Sequence, residues 1–366
     1  MTTSKSLASV SRRKVLGGVA AAAAVTALPR RVRSQGARSV KLSLPWVAEG
    51  SSLFTFVARH NGYWAKHGLN VELLRGTGSV AAAQGVATGQ FDFSFPAASA
   101  SILQAVKGLP TVLLGACAYD ATQGVAVPVD SPIKVPKDLE GHKMGSVVAS
   151  GEYPFLPAFA ERAGFDLSKV DIQQVDVQIR ERLLADKQVD AISGFGTSMI
   201  PALASKGVDV RLMLYSKYGI TNYGNTLVTR PEVLQKDPAL CEAIVDGCMQ
   251  AIKFSLLNPQ EASDIFFKEV PEMAMSSSAH EQIRIGLGVI NLVSFSPTVR
   301  EKGLGFMEPA AIKDMTELTL KYVVKDGKMP VIDSLYTNQF VGKIKLSDSE
   351  IQSAQAAVHD FTKYLS

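Results

Sequence analysis

The sequence predicts an α/β protein with two lobes, each built on a mostly parallel sheet flanked by helices. Segments typical of strands and of helices alternate from Val40 to Ser101, and a second alternating series begins at Lys143. Such alternation is typical of parallel strands joined by right-handed crossovers, whose ligand site lies beyond the carboxyl ends of the strands. About 328 residues follow a basic leader, which is enough for two lobes that each have a hydrophobic core.

The leader, residues 1–38, is expected to be an export signal rather than part of the fold. Ser11–Leu16 contains the twin arginines Arg12 and Arg13, and the apolar run after it is too short to span a bilayer. This pattern predicts the twin-arginine route to the periplasm; an ordinary secretory signal with two incidental arginines is the alternative. The leader holds eight basic and no acidic residues, so residues 39–366 have a net charge of −4. We therefore expect no nucleic-acid partner and no binding to an anionic membrane.

The first alternating series contains helices that end at glycine. Gly62 and Gly89 each follow a helical segment, and glycine readily adopts the left-handed conformation that ends a helix. The apolar segment Thr111–Ala118 is the next predicted strand. Gly124–Val129 then leads out of the lobe, and Pro128 suits an edge or a crossing strand because proline donates no ladder hydrogen bond.

The second series continues from Lys143 to Tyr215. Its first helix is expected to start at Ser150, Gly151 or Glu152. The chain returns to the first lobe through Asn225–Thr229, and helices follow. The predicted division of the chain is therefore 1–38 as the export signal, 39–122 and 226–366 as lobe I, and 123–225 as lobe II. The last amphipathic helix, Ser347–Tyr364, is expected to pack on the surface of lobe I.

No recognised catalytic or metal-binding motif is present. Gly76–Ser79 matches part of a dinucleotide fingerprint, but the third glycine is missing, and a tight turn that opens a helix is the simpler interpretation. Cys241 and Cys248 are roughly 10 Å apart along a predicted helix, which is too far for a disulfide. The five histidines are scattered. We expect no metal, no cofactor and three free thiols, one of them Cys117.

Small, hydroxylated and aromatic residues stand where the predicted strands end, which suits binding rather than acid–base chemistry. Trp46 ends the first strand, although a core tryptophan is the alternative interpretation. Ser150 and Gly151 at a helix N-terminus would offer backbone N–H groups to an anion, whereas Ser150 as a simple cap is the alternative. Glu152 would repel an anion and would suit an amine or a ring N–H. The candidate ligand-binding residues are Trp46, Ser51, Phe54, Ser94, Phe95, Ala97, Ser150, Gly151, Glu152, Tyr153, Phe195, Tyr223 and Asn225.

Two segments, Asn61–Leu73 (NGYWAKHGLNVEL) and Gln84–Phe93 (QGVATGQFDF), resemble the SsuA/THI5-like (NMT1/THI5-like) solute-binding proteins, and the similarity covers roughly residues 40–342. The resemblance implies the type II periplasmic-binding-protein fold, with two crossover strands and a ligand closed between the lobes. It also implies the function of a periplasmic protein that performs no chemistry and delivers a small solute to the permease of an ABC importer. That solute would be a sulfonate, an aromatic or heterocyclic compound, or a carboxylate. We expect a monomer.

The resemblance also implies a role for Trp46, because an aromatic residue at this position stacks on the ligand in pyrimidine-binding members of the family. Pyrimidine binders of this family carry a proline-asparagine pair and a histidine soon after that tryptophan, whereas Trp46–Phe54 reads WVAEGSSLF. Ser51 and Ser52, which cap the first helix, would instead suit an anionic ligand. An enzyme, the THI5-like pyrimidine-precursor synthase, is the alternative function, but its cysteine-rich motif is absent. A ligand-sensing module for a signalling partner is a third possibility, which no feature of the sequence supports.

Overall fold

The computed structural model of the chain describes residues 37–325 and 327–365. The predicted export signal, with its twin arginines, lies outside the described residues except for positions 37 and 38. Arg38 belongs to the first strand, so the fold includes this residue. No helix within the described ranges is both long enough and apolar enough to cross a membrane.

Two five-stranded sheets form the framework of the described chain. The strands are β1 (Arg38–Ser43), β2 (Leu69–Leu74), β3 (Phe93–Ser94), β4 (Val112–Ala116), β5 (Gln123–Pro128), β6 (Lys143–Ser146), β7 (Asp171–Gln174), β8 (Ala191–Phe195), β9 (Val210–Leu214) and β10 (Thr226–Thr229). The helices are α1 (Leu53–His60), α2 (Ser79–Ala87), α3 (Ala98–Val106), α4 (Leu156–Ala163), α5 (Arg180–Ala185), α6 (Gly196–Ala204), α7 (Pro231–Lys236), α8 (Pro238–Leu257), α9 (Pro259–Glu269), α10 (Ala279–Val293), α11 (Pro297–Lys302), α12 (Pro309–Thr319) and α13 (Asp348–Val358).

The first sheet has the strand order β2-β1-β3-β10-β4, and we call it and its helices lobe I. Strands β1, β2 and β3 are parallel, whereas β10 is antiparallel to β3 and β4. Helices α1 and α2 between these strands end as predicted, because Gly62 and Gly89 have φ angles of 69° and 82°.

The second sheet, that of lobe II, has the order β7-β6-β8-β5-β9. Strand β6 is parallel to β7 and β8, whereas β5 is antiparallel to both of its neighbours. The prediction of an edge position for Gly124–Val129 is wrong, because β5 lies between β8 and β9; its role as the crossing strand is confirmed. Pro128 is tolerated since it is the last residue of β5, paired with Val210. The predicted two-lobe α/β fold is confirmed, with mixed sheets because each contains a returning or entering antiparallel strand.

Helix α10 contacts the hydrophobic cores of both lobes. Ile283 and Leu287 pack in the core of lobe I, whereas Ile285 and Val289 belong to an apolar cluster that contains the inner side chains of α6, β8 and β9. Phe361, just after α13, joins this second cluster. The C-terminal segment was expected to pack on the surface of lobe I. It instead also contacts the apolar cluster of lobe II. The exact residue bounds of the lobes stay a prediction.

Candidate ligand-binding site

A cavity lies where the carboxyl ends of strands from the two sheets face each other. Its free volume is about 30 Å³, which is room for one or two water molecules, so a larger solute enters only when the lobes move apart. The lining residues are Pro45, Trp46, Glu49, Ser51, Ser79 and Asn225 from lobe I and the returning segment, and Ser150, Arg180, Phe195, Thr197 and Ser198 from lobe II. Neither lobe alone forms this cavity.

Five of the thirteen residues predicted from the sequence line the cavity: Trp46, Ser51, Ser150, Phe195 and Asn225. Trp46 and Phe195 are there because each stands where a strand of its sheet ends. Trp46 is half-buried, so the core interpretation does not apply to it. The core tryptophan is instead Trp64, whose exposed fraction is 1%.

The remaining lobe I candidates lie outside the cavity lining. Phe54 and Phe95 are buried in the core, where their ring centroids are 5.0 Å apart. The hydroxyl of Ser94 donates to the backbone oxygen of Ser43 (2.8 Å). Ala97 is also buried, and its N–H donates to the hydroxyl of Ser79 (3.2 Å), so it positions a residue that does line the cavity.

Tyr223 does not line the cavity. Its hydroxyl accepts a hydrogen bond from the N–H of Glu308 (3.1 Å), and its ring packs edge-to-face on Tyr119 at 5.5 Å. Tyr153 is half-buried in a short helical turn before α4 and is not among the lining residues. Of the aromatic candidates Phe95, Phe195 and Tyr223, the cavity lining includes Phe195 alone.

Glu49 is a buried carboxyl of the cavity that the sequence analysis did not select. It precedes the short helical turn Gly50–Ser52, and its exposed fraction is 6%. The hydroxyl of Ser51 donates to Oε1 (2.7 Å), and the hydroxyl of Ser198, from lobe II, donates to Oε2 (3.0 Å). Burial raises the pKa of Glu49 to about 7, because the charged form is poorly solvated there. This carboxyl therefore joins the two lobes across the cavity.

Arg180 is the buried cation of the cavity, with 1% exposure. Its Nε donates to Glu181 (2.9 Å), its Nη1 donates to the backbone oxygen of Ser193 (3.3 Å), and its guanidinium lies 5.0 Å from the ring centre of Trp46. Burial acts to lower the pKa of Arg180, but the carboxylates of Glu181 and Glu152 outweigh this effect and raise it. The contact with Trp46 is a second link between the lobes.

The turn Ser150–Glu152 differs from its predicted role as an anion-binding helix N-terminus. The N–H of Ser150 already donates to the oxygen of Val147 (3.0 Å), and the regular helix α4 begins only at Leu156. The hydroxyl of Ser150 donates to Glu152, which also accepts from the hydroxyl of Ser193 (3.0 Å). Glu152 is fully buried rather than placed at the mouth, and burial raises its pKa.

The two lobes are in backbone contact beside the cavity. The N–H of Val80 donates to the oxygen of Ala149 (3.0 Å). Gly78 has a φ of 148°, and a Cβ atom there would lie 2.2 Å from that same oxygen. Gly151 is similarly confined, since a Cβ atom on it would lie 3.0 Å from Ser79. Glycine is needed at Gly78 both for its backbone conformation and for the closed approach of the lobes.

Several lining residues could have been found from their positions. Pro45 and Ser79 follow predicted strands, and Thr197 and Ser198 lie in the first turn of α6, just after β8, so the rule for parallel sheets includes them. Glu49 and Arg180 carry no such signal. Charged residues are mostly exposed unless they are paired, and the residues of the opposite lobe that cover these two, Ser198 and Trp46, are distant in the chain.

The cavity presents a small set of polar groups. Its polar groups are one carboxyl, one guanidinium, hydroxyls and one amide. The three cysteines are buried and free, as predicted, and none lines the cavity. Within the described part of the chain, no group of three or more His, Cys, Asp or Glu side chains could hold a metal ion. The lining groups can stack on a ring and exchange hydrogen bonds with it.

Comparison with known proteins identifies the family. The profile described as NMT1/THI5 like matches residues 50–262. A formylaminopyrimidine-binding protein of Halalkalibacterium halodurans is 22% identical over 64% of this chain and 71% of its own length.

Solved structures show the same fold. The aliphatic sulphonate binding protein SsuA of Escherichia coli superposes with a TM-score of 0.58 at 14% identity, covering 80% of this chain and 93% of SsuA. SsuA of Xanthomonas axonopodis pv. citri, bound to MOPS, gives a TM-score of 0.56 at 13% identity, covering 78% and 96%. This chain therefore belongs to the NMT1/THI5-like family and has the two-lobe fold of the type II periplasmic binding proteins.

Proposed function

We propose that this chain is the substrate-binding protein of an ABC importer. It captures a small organic solute, namely a sulfonate, an aromatic or heterocyclic compound, or a carboxylate, in the cavity between its lobes. The closed form then delivers the solute to a membrane permease. The protein works in the periplasm as a monomer.

The observation that carries this proposal is that the cavity is built from both lobes. Glu49 bonds to Ser198 across it, Trp46 faces Arg180, and Gly78 touches Ala149 at its edge. A solute held between such surfaces contacts both lobes at once and therefore favours the closed state over the open one. The permease can then distinguish the closed, solute-bound form from the open form.

The relatives support a binding role without naming the solute. Their names include proteins that bind a formylaminopyrimidine and aliphatic sulfonates. These two ligands differ in charge, so the family by itself does not select between them. The match to a pyrimidine-binding relative weighs against the sequence-based expectation that the altered Trp46–Phe54 segment argues against such ligands.

The enzyme alternative, a pyrimidine-precursor synthase, is disfavoured by the residues of the cavity. That chemistry requires a cysteine-rich motif and a lysine that holds pyridoxal phosphate. The cavity lining contains neither cysteine nor lysine, and the three thiols are buried elsewhere. Absorbance of the purified protein in the pyridoxal band would contradict the binding-protein proposal.

The proposal is tested by identifying the solute and then removing contacts to it. Native mass spectrometry of protein purified from the periplasm should show a bound small molecule. Trp46→Ala should weaken calorimetric binding of that molecule by about 1–3 kcal/mol, the value of a buried aromatic side chain. Tyr364→Ala, in the C-terminal segment, is the control and should bind normally. Wild-type affinity in a folded Trp46→Ala protein would place the solute outside this cavity.

Export is tested separately. Replacing Arg12 and Arg13 with lysine should leave the precursor in the cytoplasm, because the folded-protein route recognises the arginine pair. Fractionation followed by immunoblotting measures this. Normal periplasmic delivery of the double-lysine protein would instead indicate the general secretory route.

A further inference from the structure

The carboxyl of Glu49 lies in the cavity without a cationic partner. Both of its oxygens accept hydrogen bonds from hydroxyls, those of Ser51 and Ser198. Among the described residues, no lysine, arginine or histidine nitrogen forms an ion pair with it. A buried carboxylate with two neutral donors is under-stabilised, because burial removes the water that would solvate its charge. The site therefore contains an acceptor that a ligand donor would complete.

Arg180, the one cation lining the cavity, is already engaged. Glu181 accepts hydrogen bonds from its Nε and Nη2, and the backbone oxygen of Ser193 accepts one from its Nη1. The Trp46 ring faces the guanidinium. Glu152, fully buried nearby, adds a second attractive carboxyl. Three carboxyl groups thus act on one guanidinium. Among the described lining residues, an anionic solute would meet carboxyl groups and a guanidinium whose hydrogen bonds are already taken by protein groups.

Asn225 supplies a donor on the same cavity. Its side-chain Nδ2 is buried and has no hydrogen-bond partner among the described residues. Leaving a buried donor unpaired is destabilising, and a ligand acceptor would remove that cost. The polar complement of the cavity is therefore a molecule with N–H donors for Glu49 and an acceptor for Asn225.

We propose that the solute is neutral or cationic, that it presents N–H groups to Glu49 as an amino- or amidino-substituted aromatic ring does, and that organic anions are rejected. This inference rests on the proposed function and narrows it to one of the solute classes named there. The half-buried Trp46 provides the apolar surface beside which such a ring would lie.

The proposal gives the pH dependence of binding a definite sign. A ligand that donates N–H bonds or carries positive charge favours the ionised carboxyl, so it lowers the pKa of Glu49 and releases a proton on binding. Affinity then rises with pH, by up to about tenfold per pH unit below the ligand-free pKa. An anion would favour the protonated carboxyl, and its affinity would rise as the pH falls.

The charged groups that act on Glu49 are few. Glu181 acts to raise its pKa and Arg180 to lower it. Helix α6 faces it with the neutral Ser198. Helix α10 also packs on the Gly50–Ser52 turn, but its charged residues, His280, Glu281 and Arg284, are exposed. Helix α1 carries its charges, Arg59 and His60, in its last turn, paired with Glu269.

The test is calorimetry with three probes of similar shape and different charge: benzamidine, 4-aminopyrimidine and benzenesulfonate. Wild type, Glu49→Gln and Glu72→Gln are compared; Glu72 is exposed on β2 and is the matched control. We expect a nitrogen probe to bind wild type and the control alike and Glu49→Gln at least tenfold more weakly. The wild-type affinity for benzamidine should rise between about pH 6 and about pH 8.

Either of two binding results overturns the proposal: benzenesulfonate binds more tightly than both nitrogen probes, or the nitrogen probes bind wild type and Glu49→Gln equally. If Glu49→Gln does not fold, the pH slope of wild type decides, and an affinity that rises as pH falls refutes the proposal. An anion found bound to the purified protein would refute it while leaving the proposed function intact. If no probe binds and the purified protein carries no solute, both fail.

Discussion

Replacing Arg180 with methionine should destabilise the protein strongly, although the residue lies in a ligand cavity. Methionine keeps much of the apolar length of the side chain and removes its charge. Glu181, which pairs with Arg180, and the fully buried Glu152 then lose their cation, and the backbone oxygen of Ser193 loses a donor. Breaking a buried ion pair on one side typically costs about 3–5 kcal/mol, and we expect a loss of that size here.

If unpaired carboxyl groups cause the loss of stability, removing one of them should partly restore the stability of Arg180→Met. A simple packing defect would not be restored in this way. In a Glu152→Gln background one of the two uncompensated carboxyl groups is absent, so Arg180→Met should be less destabilising by at least about 1 kcal/mol. The deficit of the single variant should also shrink as the pH falls, because Glu152 can then take up a proton; its pKa is already raised by burial. Urea unfolding of the four proteins measures the free energy of unfolding in each.

The control is Arg182→Met on the same helix, whose side chain is 74% exposed and pairs with Asp186. An exposed pair of this kind contributes about 0–1 kcal/mol, so this variant should be close to wild type. A loss below about 1 kcal/mol for Arg180→Met, or the same loss in both Glu152 backgrounds, would refute the account of the buried charges.

Three further predictions follow from the described contacts. The pKa of Glu49 is raised from 4.5 to about 7, so the unfolded chain binds fewer protons in that interval. The free energy of unfolding of the wild type, relative to that of Glu49→Gln, should therefore fall by up to about 3 kcal/mol as the pH rises from about 4.5 to about 7. Urea unfolding measures this difference, and parallel pH curves for the two proteins would contradict it. All three cysteines are buried and free, so a thiol reagent should label none in the native protein and three after denaturation; fewer than three would indicate a disulfide. Gly78→Ala places a Cβ atom against Ala149, so it should enlarge the particle in small-angle scattering and weaken solute binding, whereas Gly207→Ala, with positive φ but open space, should do neither.

Much of the local structure follows from the sequence because its causes are local. The helices that were expected to end near Gly62 and Gly89 do so, and both glycines have positive φ angles. The cysteines were predicted to be free from their spacing alone, and they are. Each of these features depends on a residue and its near neighbours.

Sheet order and the antiparallel strands depend on tertiary structure. Pro128 argued against an interior strand, yet β5 lies between β8 and β9, since proline at its last residue leaves the other ladder bonds intact. The short strand β3, Phe93–Ser94, is much briefer than its alternating aromatic pattern suggests. Its neighbour β10 comes from more than a hundred residues later in the chain, so no local pattern specifies the pairing.

The candidate site likewise has residues that local sequence patterns indicate and residues that only the tertiary structure reveals. The sequence by itself determined that a site would lie where strands end, and it identified Trp46, Ser150 and Phe195 there, because the direction of parallel strands follows from their alternation with helices. Only the tertiary structure decided that Glu49 and Arg180 are buried in the cavity. Glu49 accepts a hydrogen bond from Ser198, a residue 149 positions away in the other lobe. Whether a charged side chain is exposed or buried depends on what packs against it, and here Glu49 and Arg180 are each contacted by a residue of the opposite lobe, Ser198 and Trp46 respectively.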